Sequence, residues 1–403
     1  MEFQELTEKE YKDYWETHPL KTFLSAIEIS KLRKKSGWET SYVGVKDNKK
    51  IVAATMLLSH KRHFNQYEYY SPRGFLMDFH DEKLLEFFTK ELKTYIKDRK
   101  GYVLRIDPYI IYKERDIDGN IVENGVDNSK IVDKLFELGY KKVPIPNMEQ
   151  VGWMFSLDLE GKTKDEILKE MHSSTRNKIR KAEKYGITLR ELSYDELDSF
   201  QTIMDETSKR KGFSNRKIEY YQDMYKLYQE KVKYLVAELN LVEYIKKLEI
   251  ELEEKNNKLS KLDDAKNEKE KNNLTTEIDS INKRIEEAKA INKDKIILSC
   301  AMFILINPEI IFLAGGNLEE YMKYDAQYIL QWEMIKYGIE NNFKKHNFYG
   351  IPADINTHPK DYGIYEFKRR FNGYVEELIG EYELPINCFY NIFQLIHKIK
   401  GGK

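Results

Sequence analysis

Residues 241–295 constrain the fold more than any other stretch of the chain. They contain no glycine and no proline, and helix-forming residues dominate. Apolar residues recur three and four apart in two runs: Ile245, Leu248, Leu252, Leu259 and Leu262, then Leu274, Ile278, Ile281, Ile285 and Ala288. This pattern predicts two helices folded into an antiparallel coiled-coil hairpin, an arm about 35–40 Å long at ~1.5 Å per residue.

Strand-like runs flank the arm, with "VKYLVAEL" before it and "DKIILSCAMFILI" after it. An earlier pair of such runs, "SYVGVKDNKKIVAATMLL", is joined by a short "DNKK" turn. The arm is therefore predicted to replace the turn of a β-hairpin.

The order of elements repeats along the chain. In the first half, the strand "YEYYSPRG" precedes the helix "DEKLLEFFTKELKTYIKD" and the strand "GYVLRIDPY". In the second half, "EIIFLAGG", "LEEYMKYDAQYILQWEMIKYGIEN" and "HNFYGIP" follow in the same order. Each half resembles the acyl-CoA N-acyltransferase (GNAT-type) fold. We expect an α/β (α+β) protein with two GNAT-like domains, 1–154 and 155–383, the arm (241–295) inserted in the second, and the tail 384–403 packing as a helix on the first.

Charge, cysteine spacing and hydropathy argue against a metal-binding, redox or membrane-spanning protein. The formal net charge is −1, so any anion-binding site must be local. The two cysteines, Cys300 and Cys388, have no metal or redox spacing, and we predict neither a metal nor a cofactor. The N-terminal residues show no apolar signal region, and the apolar run 296–306 is too short to cross a bilayer. We expect a cytoplasmic protein, with peripheral contact at the inner face of the membrane neither indicated nor excluded.

Nine further segments follow one another along the chain: "GWETSYVGVK", "SPRGF", "RIDPY", "STRNKIRKAEKYGI", "RKGFSNRKIEYY", "AGGN", "QWEMIKYGI", "NFYGI" and "GIYEFKRRFNGYVEELIGEYELPIN". In this order they are similar to the Fem family of peptidoglycan interpeptide-bridge aminoacyltransferases. The resemblance covers essentially the whole chain and is strongest to the FemA-like branch.

The resemblance implies a reaction and its partners. The donor would be an aminoacyl-tRNA, with glycyl-tRNA as our expectation. The acceptor would be the stem-peptide amine, or the growing bridge, of a nucleotide-linked or lipid-linked peptidoglycan precursor. Related Fem proteins are further candidate partners. Because the tRNA ester is already activated, direct transfer needs no covalent enzyme intermediate.

Three residues are implied to bind the acceptor. Arg33, in "KLRKKSGW", stands five positions before the tryptophan, where the family has a basic residue implicated in phosphate binding. Arg216 and Tyr220, in "GFSNRKIEYY", match an arginine that binds the diphosphate and a tyrosine that lines the site. We expect both on one face of a helix. The alternative is ordinary surface arginines.

Three further residues are implied to act near the reacting groups. Tyr102 and Asp107, on "GYVLRIDPY", match a tyrosine and an aspartate near the acceptor amine. Both can face one site only if the strand ends near Asp107, because residues five apart point to opposite faces. Lys368, in "FKRRF", matches the family's functional lysine. Phe367 and Phe371 are expected to hold that helix on the core. Arg369 and Arg370 are expected to be solvated or to contact RNA backbone, and the alternative is three solvated cations.

The densest basic stretch is "STRNKIRKAEK", residues 173–184. It offers weak candidates for tRNA binding: Arg176, Lys178, Arg180 and Lys181. The arm has nearly equal numbers of acidic and basic residues, so strong RNA binding along it is not expected.

Two other functions stay open at this point. One is a CoA-dependent N-acyltransferase, although "AGGN" lacks the longer glycine pattern of CoA-binding loops and is interpreted as a tight turn that permits close backbone approach. The other is a non-catalytic tRNA-binding or scaffold protein.

Overall fold

A computed structural model describes residues 1–262, 268–353 and 359–399. The strands are β1 Glu2–Glu5, β2 Glu39–Asp47, β3 Lys50–Lys61, β4 Tyr67–Ser71, β5 Gly101–Ile106, β6 Ile111–Glu114, β7 Lys141–Lys142, β8 Trp153–Asp158, β9 Ile187–Glu191, β10 Val232–Asn240, β11 Lys295–Ile306, β12 Glu309–Asn317, β13 Lys345–Gly350, β14 Tyr374–Leu378 and β15 Tyr382–Pro385. The helices are α1 Glu8–Thr17, α2 Ile27–Lys34, α3 Glu82–Asp98, α4 Ser129–Glu137, α5 Lys164–Glu170, α6 Ser173–Tyr185, α7 Leu197–Lys211, α8 Ile218–Tyr228, α9 Leu241–Leu259, α10 Glu268–Ala290, α11 Ala326–Glu340, α12 Pro359–Arg369 and α13 Phe389–Ile399.

The two halves repeat one topology, which confirms the predicted α/β fold. One sheet has the order β1-β2-β3-β4-β5-β15-β7, and the other β6-β14-β8-β13-β12-β11-β10-β9. In the first sheet, β4 and β5 are parallel and α3 connects them. In the second, β12 and β13 are parallel and α11 connects them. Each half therefore has an antiparallel meander followed by one parallel crossover.

Two strands join the sheet of the opposite half. Strand β6, from the first half, pairs with β14 in the second sheet. Strand β15, which follows β14, pairs with β5 and β7 in the first sheet. The predicted boundary at residue 154 thus divides the chain in sequence, but β6 and β15 lie in the sheets on the other side of it. That the two domains are separate folding units stays a prediction.

The arm joins two paired antiparallel strands, as predicted. Asn240, at the end of β10, pairs with Lys295 at the start of β11. Helices α9 and α10 form the two limbs, linked by ion pairs such as Lys258–Glu270 (3.1 Å) and Lys289–Glu249 (2.9 Å). The apolar residues at the base of the arm belong to the core of the second half: Leu241, Tyr244, Leu248, Ile281, Ile285 and Ala288. The arm is therefore rooted in the core.

The C-terminal helix, α13, lies against β5 of the first sheet. Tyr390 and Phe393 are buried with Tyr102 and Val103 in a small apolar cluster. In the described residues, no helix is long and apolar enough to cross a membrane.

The interpretation of "AGGN" as a tight turn is wrong. Residues 314–317 end strand β12, where Gly316 pairs with Cys300 of β11. A Cβ atom on Gly316 would lie 2.4 Å from Thr207 Oγ1 of α7. The glycine therefore allows close helix–sheet packing.

Candidate functional site

A buried ion pair lies where β4 and β5 end. The backbone N–H of Arg73 donates to Asp107 Oδ1 at 2.8 Å, and Arg73 Nε lies 3.5 Å from Asp107 Oδ2. The two residues are 3% and 1% exposed. Burial raises the pKa of Asp107 to about 6, and the Arg73 charge opposes this shift. The sequence placed Asp107 at a strand end correctly, but Arg73 of "SPRGF" was not singled out.

A group of tyrosines lines this ion pair. The Arg73 guanidinium lies 5.7 Å from the ring centroid of Tyr109. Burial raises the pKa of Tyr349, and the charge of Arg73 lowers it. Burial also raises the pKa of Tyr70, next to the negative charge of Asp107. Tyr70 from the first half and Tyr349 from the second thus both feel the charge of Asp107, while the Tyr109 ring lies against Arg73.

The three predicted acceptor-binding residues lie near this group. The Arg216 guanidinium is 5.4 Å from the ring centroid of Tyr220. Burial raises the pKa of Tyr220, and Arg216 and Arg33 both oppose that shift. Arg216 also lowers the pKa of Tyr349, which burial raises. Arg33 and Arg216 therefore share Tyr220 as a neighbour, and Arg216 and Arg73 share Tyr349.

The prediction that Arg216 and Tyr220 lie on one face of a helix is wrong. Helix α8 begins at Ile218, after Arg216, so Arg216 and Tyr220 do not share a helix face. Arg216 instead lies in the segment between α7 and α8, where its carbonyl accepts a hydrogen bond from Gln201 at 3.2 Å.

Lys368 points inward from α12. It is 5% exposed, and its Nζ donates to the carbonyls of Gly350 (2.6 Å) and Tyr349 (3.2 Å). Burial lowers its pKa to about 7. Phe371 is fully buried and Phe367 partly so, with ring centroids 5.5 Å apart. The two phenylalanines therefore hold the helix as predicted, and Lys368 reaches the backbone of Tyr349, whose side chain lines the site.

The neighbouring arginines were expected to be solvated or to contact RNA, but they pair with protein groups. Arg369 forms ion pairs with Asp118 and, at 3.6 Å, with Glu366. Arg370 pairs with Glu366 at 3.1 Å and donates to Ser174 Oγ at 2.8 Å. Both guanidinium groups thus fix α12 to its surroundings.

Tyr102 does not lie with these residues. It is at the opposite end of β5 from Asp107, and its ring centroid is 4.3 Å from that of Phe393 in α13. Its catalytic role stays a prediction that this placement does not support.

The basic stretch divides into two kinds of residue. Arg176 donates to the carbonyls of Lys169 (2.8 Å) and Met171 at the end of α5. Lys178 pairs with Asp325 at 2.9 Å. Arg180 and Lys181 are exposed on α6. A role in tRNA binding stays a prediction for all four, and only the last two present an exposed side chain.

A buried charge network was missed by sequence reasoning. Lys345 Nζ lies 2.6 Å from Glu309 Oε1 and 2.8 Å from Glu376 Oε1. Tyr109, from the first half, donates to Glu309 at 2.9 Å. The network thus connects the second sheet to the tyrosine beside Arg73, and no local motif signals it, because its members lie far apart in the sequence.

Glu381 is a second buried carboxyl near Asp107. Burial raises its pKa to about 7, and Arg105 Nε lies 3.3 Å from its Oε1. The negative charge of Asp107 contributes to this shift. Two carboxyl groups with raised pKa values therefore stand close to each other in the same region.

The two sheets of like topology, joined where the Arg73–Asp107 pair is buried, define a protein with two GNAT-like folds in tandem. Comparison with known proteins identifies the family within this class. The FemAB family model matches residues 6–398, and the chain belongs to that family.

Individual relatives agree with this assignment. The chain is 31% identical to aminoacyltransferase FemA of Staphylococcus aureus strain MRSA252 over 418 residues, which covers 99% of each chain. The crystal structure of FemX superposes with a TM-score of 0.78 at 24% identity, covering 98% of this chain and 100% of that one. A tandem GNAT protein from the clavulanic acid biosynthesis pathway gives a TM-score of 0.50 at 9% identity, with 96% and 98% covered. The two structures support the fold.

Proposed function

We propose that this protein is an aminoacyltransferase that adds an amino acid to the peptide bridge of a peptidoglycan precursor, with aminoacyl-tRNA as the donor. The observation that carries the proposal is that Arg33 and Arg216 both act on Tyr220, while Arg216 also acts on Tyr349, the tyrosine next to the buried Arg73–Asp107 pair. Glycine is the amino acid that we expect, and related family members are candidate partners.

The site separates two kinds of arginine. Arg73 is buried and already paired with Asp107. Arg216 is exposed and Arg33 half-buried, and no carboxylate in the described part of the chain pairs with either guanidinium. Arginines of this kind suit a diphosphate, because a guanidinium can form two parallel hydrogen bonds to phosphate oxygens. We assign the precursor's diphosphate to Arg33 and Arg216.

The buried carboxylate suits proton removal. With a pKa of about 6, Asp107 is mostly ionised at neutral pH and has a higher proton affinity than a solvated aspartate. It would accept the proton from the attacking amine. Lys368, with a pKa of about 7, would provide a partial positive charge near the developing oxyanion or the tRNA end.

The cysteines support direct transfer to the amine. Cys300 is fully buried in β11, and burial raises its pKa above the usual range of a thiol. Cys388 precedes α13, the helix that packs on Tyr102 at the far end of β5 from Asp107. Neither thiol is placed to form an acyl intermediate.

The test is mass spectrometry of products. The purified protein is incubated with a nucleotide-linked or lipid-linked precursor and with glycyl-, seryl- or alanyl-tRNA. We expect one added residue with the glycyl donor, and no product with uncharged tRNA. A product with acetyl-CoA in place of charged tRNA would instead establish a CoA-dependent enzyme. No product with any donor, from a protein that binds tRNA, would support a scaffold role.

A further inference from the structure

The outer face of α13 is apolar and exposed. Ile392, Leu395 and Ile399 are 41%, 58% and 74% exposed, and their spacing of three and four places them in one stripe. The other face of the helix is occupied, because Tyr390 and Phe393 pack on β5. The exposed stripe is therefore not required to pack the helix on β5.

A residue from the first half extends this stripe. Phe64 follows β3 and is 61% exposed. Its ring centroid lies 5.9 Å from that of Phe389 and 6.1 Å from that of Phe393. We call Phe64, Ile392, Leu395 and Ile399 the C-terminal patch. A large exposed apolar patch usually marks a contact surface, so we expect another molecule to cover the C-terminal patch.

The C-terminal sequence that carries most of the patch is basic. Residues 386–403 contain three lysines and no acidic residue, although the whole chain has a net charge of −1. Lys61 is exposed next to the Phe64 segment, and Lys141 Nζ lies 4.7 Å from the Tyr390 ring centroid.

The acidic group that contacts α13 is already neutralised. Glu383 accepts hydrogen bonds from Tyr390 (3.0 Å) and Gln394 (3.1 Å) of the helix. Arg105 Nη2 pairs with the same carboxylate at 2.7 Å. This carboxylate therefore does not offset the positive charges of Lys61 and Lys141.

We propose that the C-terminal patch rests on an anionic lipid bilayer and brings the enzyme to a membrane-linked acceptor. An amphipathic helix with exposed Leu and Ile side chains and nearby lysines is suited to lie in the interface of such a bilayer. A second copy of the chain is a poorer occupant, because two copies of the patch would place like charges opposite each other. This inference rests on the proposed function for the nature of the acceptor.

The position of the patch agrees with that role. Helix α13 lies on β5 at Tyr102, and Asp107 follows the other end of the same strand. Five residues of a strand span roughly 17 Å. A precursor anchored in the bilayer below α13 would therefore extend along β5 toward the carboxylate.

The test is sedimentation of the full-length protein with lipid vesicles, without tRNA or precursor. We expect binding to phosphatidylglycerol vesicles that weakens with added salt, and much weaker binding to phosphatidylcholine vesicles. The double variant Leu395→Ser/Ile399→Ser should bind phosphatidylglycerol about ten- to a hundredfold more weakly, because one inserted Leu or Ile side chain already contributes about that factor.

A matched control is Ile250→Ser, which removes another exposed apolar residue (51% exposed) from the arm. It should bind vesicles as the wild type does. Absence of wild-type binding to phosphatidylglycerol would overturn the inference. Wild-type binding by the double variant would also overturn it. The same holds if the double variant changes its oligomeric state in analytical ultracentrifugation while its vesicle binding stays intact. Because no transfer is measured, this outcome is independent of the proposed reaction.

Discussion

Burial of Lys368 makes the free energy of unfolding depend on pH. The unfolded lysine keeps its proton up to pH ~10.4, whereas the folded one releases it near pH 7. Between these values the unfolded state binds more protons, so raising the pH stabilises the folded state. With a folded pKa of about 7, the free energy of unfolding should gain about 2 kcal/mol from this group between pH 7 and pH 9.

The assay compares urea unfolding of the wild type and Lys368→Met at pH 7, 8 and 9. The variant loses two hydrogen bonds to carbonyls, so its absolute stability is not the readout. The informative quantity is the difference in pH dependence, because other titrating groups contribute equally to both proteins. Arg369→Met changes the neighbouring cation in the same helix and should keep the wild-type dependence. Parallel pH profiles for wild type and Lys368→Met would refute the depressed pKa.

The same variant tests the proposed catalytic role. An oriented cation near a developing oxyanion contributes ~3 kcal/mol, so Lys368→Met should slow single-turnover transfer about a hundredfold at pH 6. The difference should shrink at pH 9, where the wild-type lysine is mostly neutral. Precursor affinity should not change, and Arg369→Met and Arg370→Met should stay within about a few-fold of wild type, since both arginines pair with protein groups. Wild-type rates for Lys368→Met with saturating tRNA would remove this role.

Arg33→Ala and Arg216→Ala should each weaken precursor binding about ten- to a hundredfold in calorimetry, because each removes a charge-assisted contact of roughly 1.5–3 kcal/mol; unchanged affinity for both would disprove phosphate binding. Replacing residues 253–277 by a short glycine-containing turn should leave cooperative melting intact, whereas replacing 241–294 should lower the melting temperature strongly, because the base of the arm is part of the core; equal melting of the two proteins would contradict that rooting. Asp107→Asn should abolish the rise in transfer rate as the pH increases through about 6, where the carboxyl loses its proton; an unchanged pH–rate profile would assign the base to another group.

The sequence was informative wherever the signal is local. The arm follows from helical periodicity over two uninterrupted runs, and the structure has both helices. The direction of Lys368 follows from the spacing of Phe367 and Phe371, which fixes one face of a helix against the core. Its partners do not follow, because the carbonyls of Tyr349 and Gly350 lie on β13, and only the packing of α12 brings them close.

The buried network shows where sequence reasoning stops. Glu309, Lys345 and Glu376 lie on β12, β13 and β14, with β8 between the last two in the sheet. Each would be assigned to a solvated surface from its neighbours in the sequence, since charged side chains are seldom buried. Their burial depends on the strand order, which periodicity does not determine.

The connection between the halves determines how the site can work. Asp107, Arg73 and Arg33 come from the first half, and Arg216 and Lys368 from the second. Strands β6 and β15 each belong to the sheet of the opposite half, so backbone hydrogen bonds in both sheets join the two halves of the chain. The buried hydrogen bond from Tyr109 to Glu309 also joins the first half to the second. The fold therefore sets the distance from Arg33 and Arg216, the proposed diphosphate-binding residues, to Asp107. If the proposed function holds, the amine would meet a preformed site.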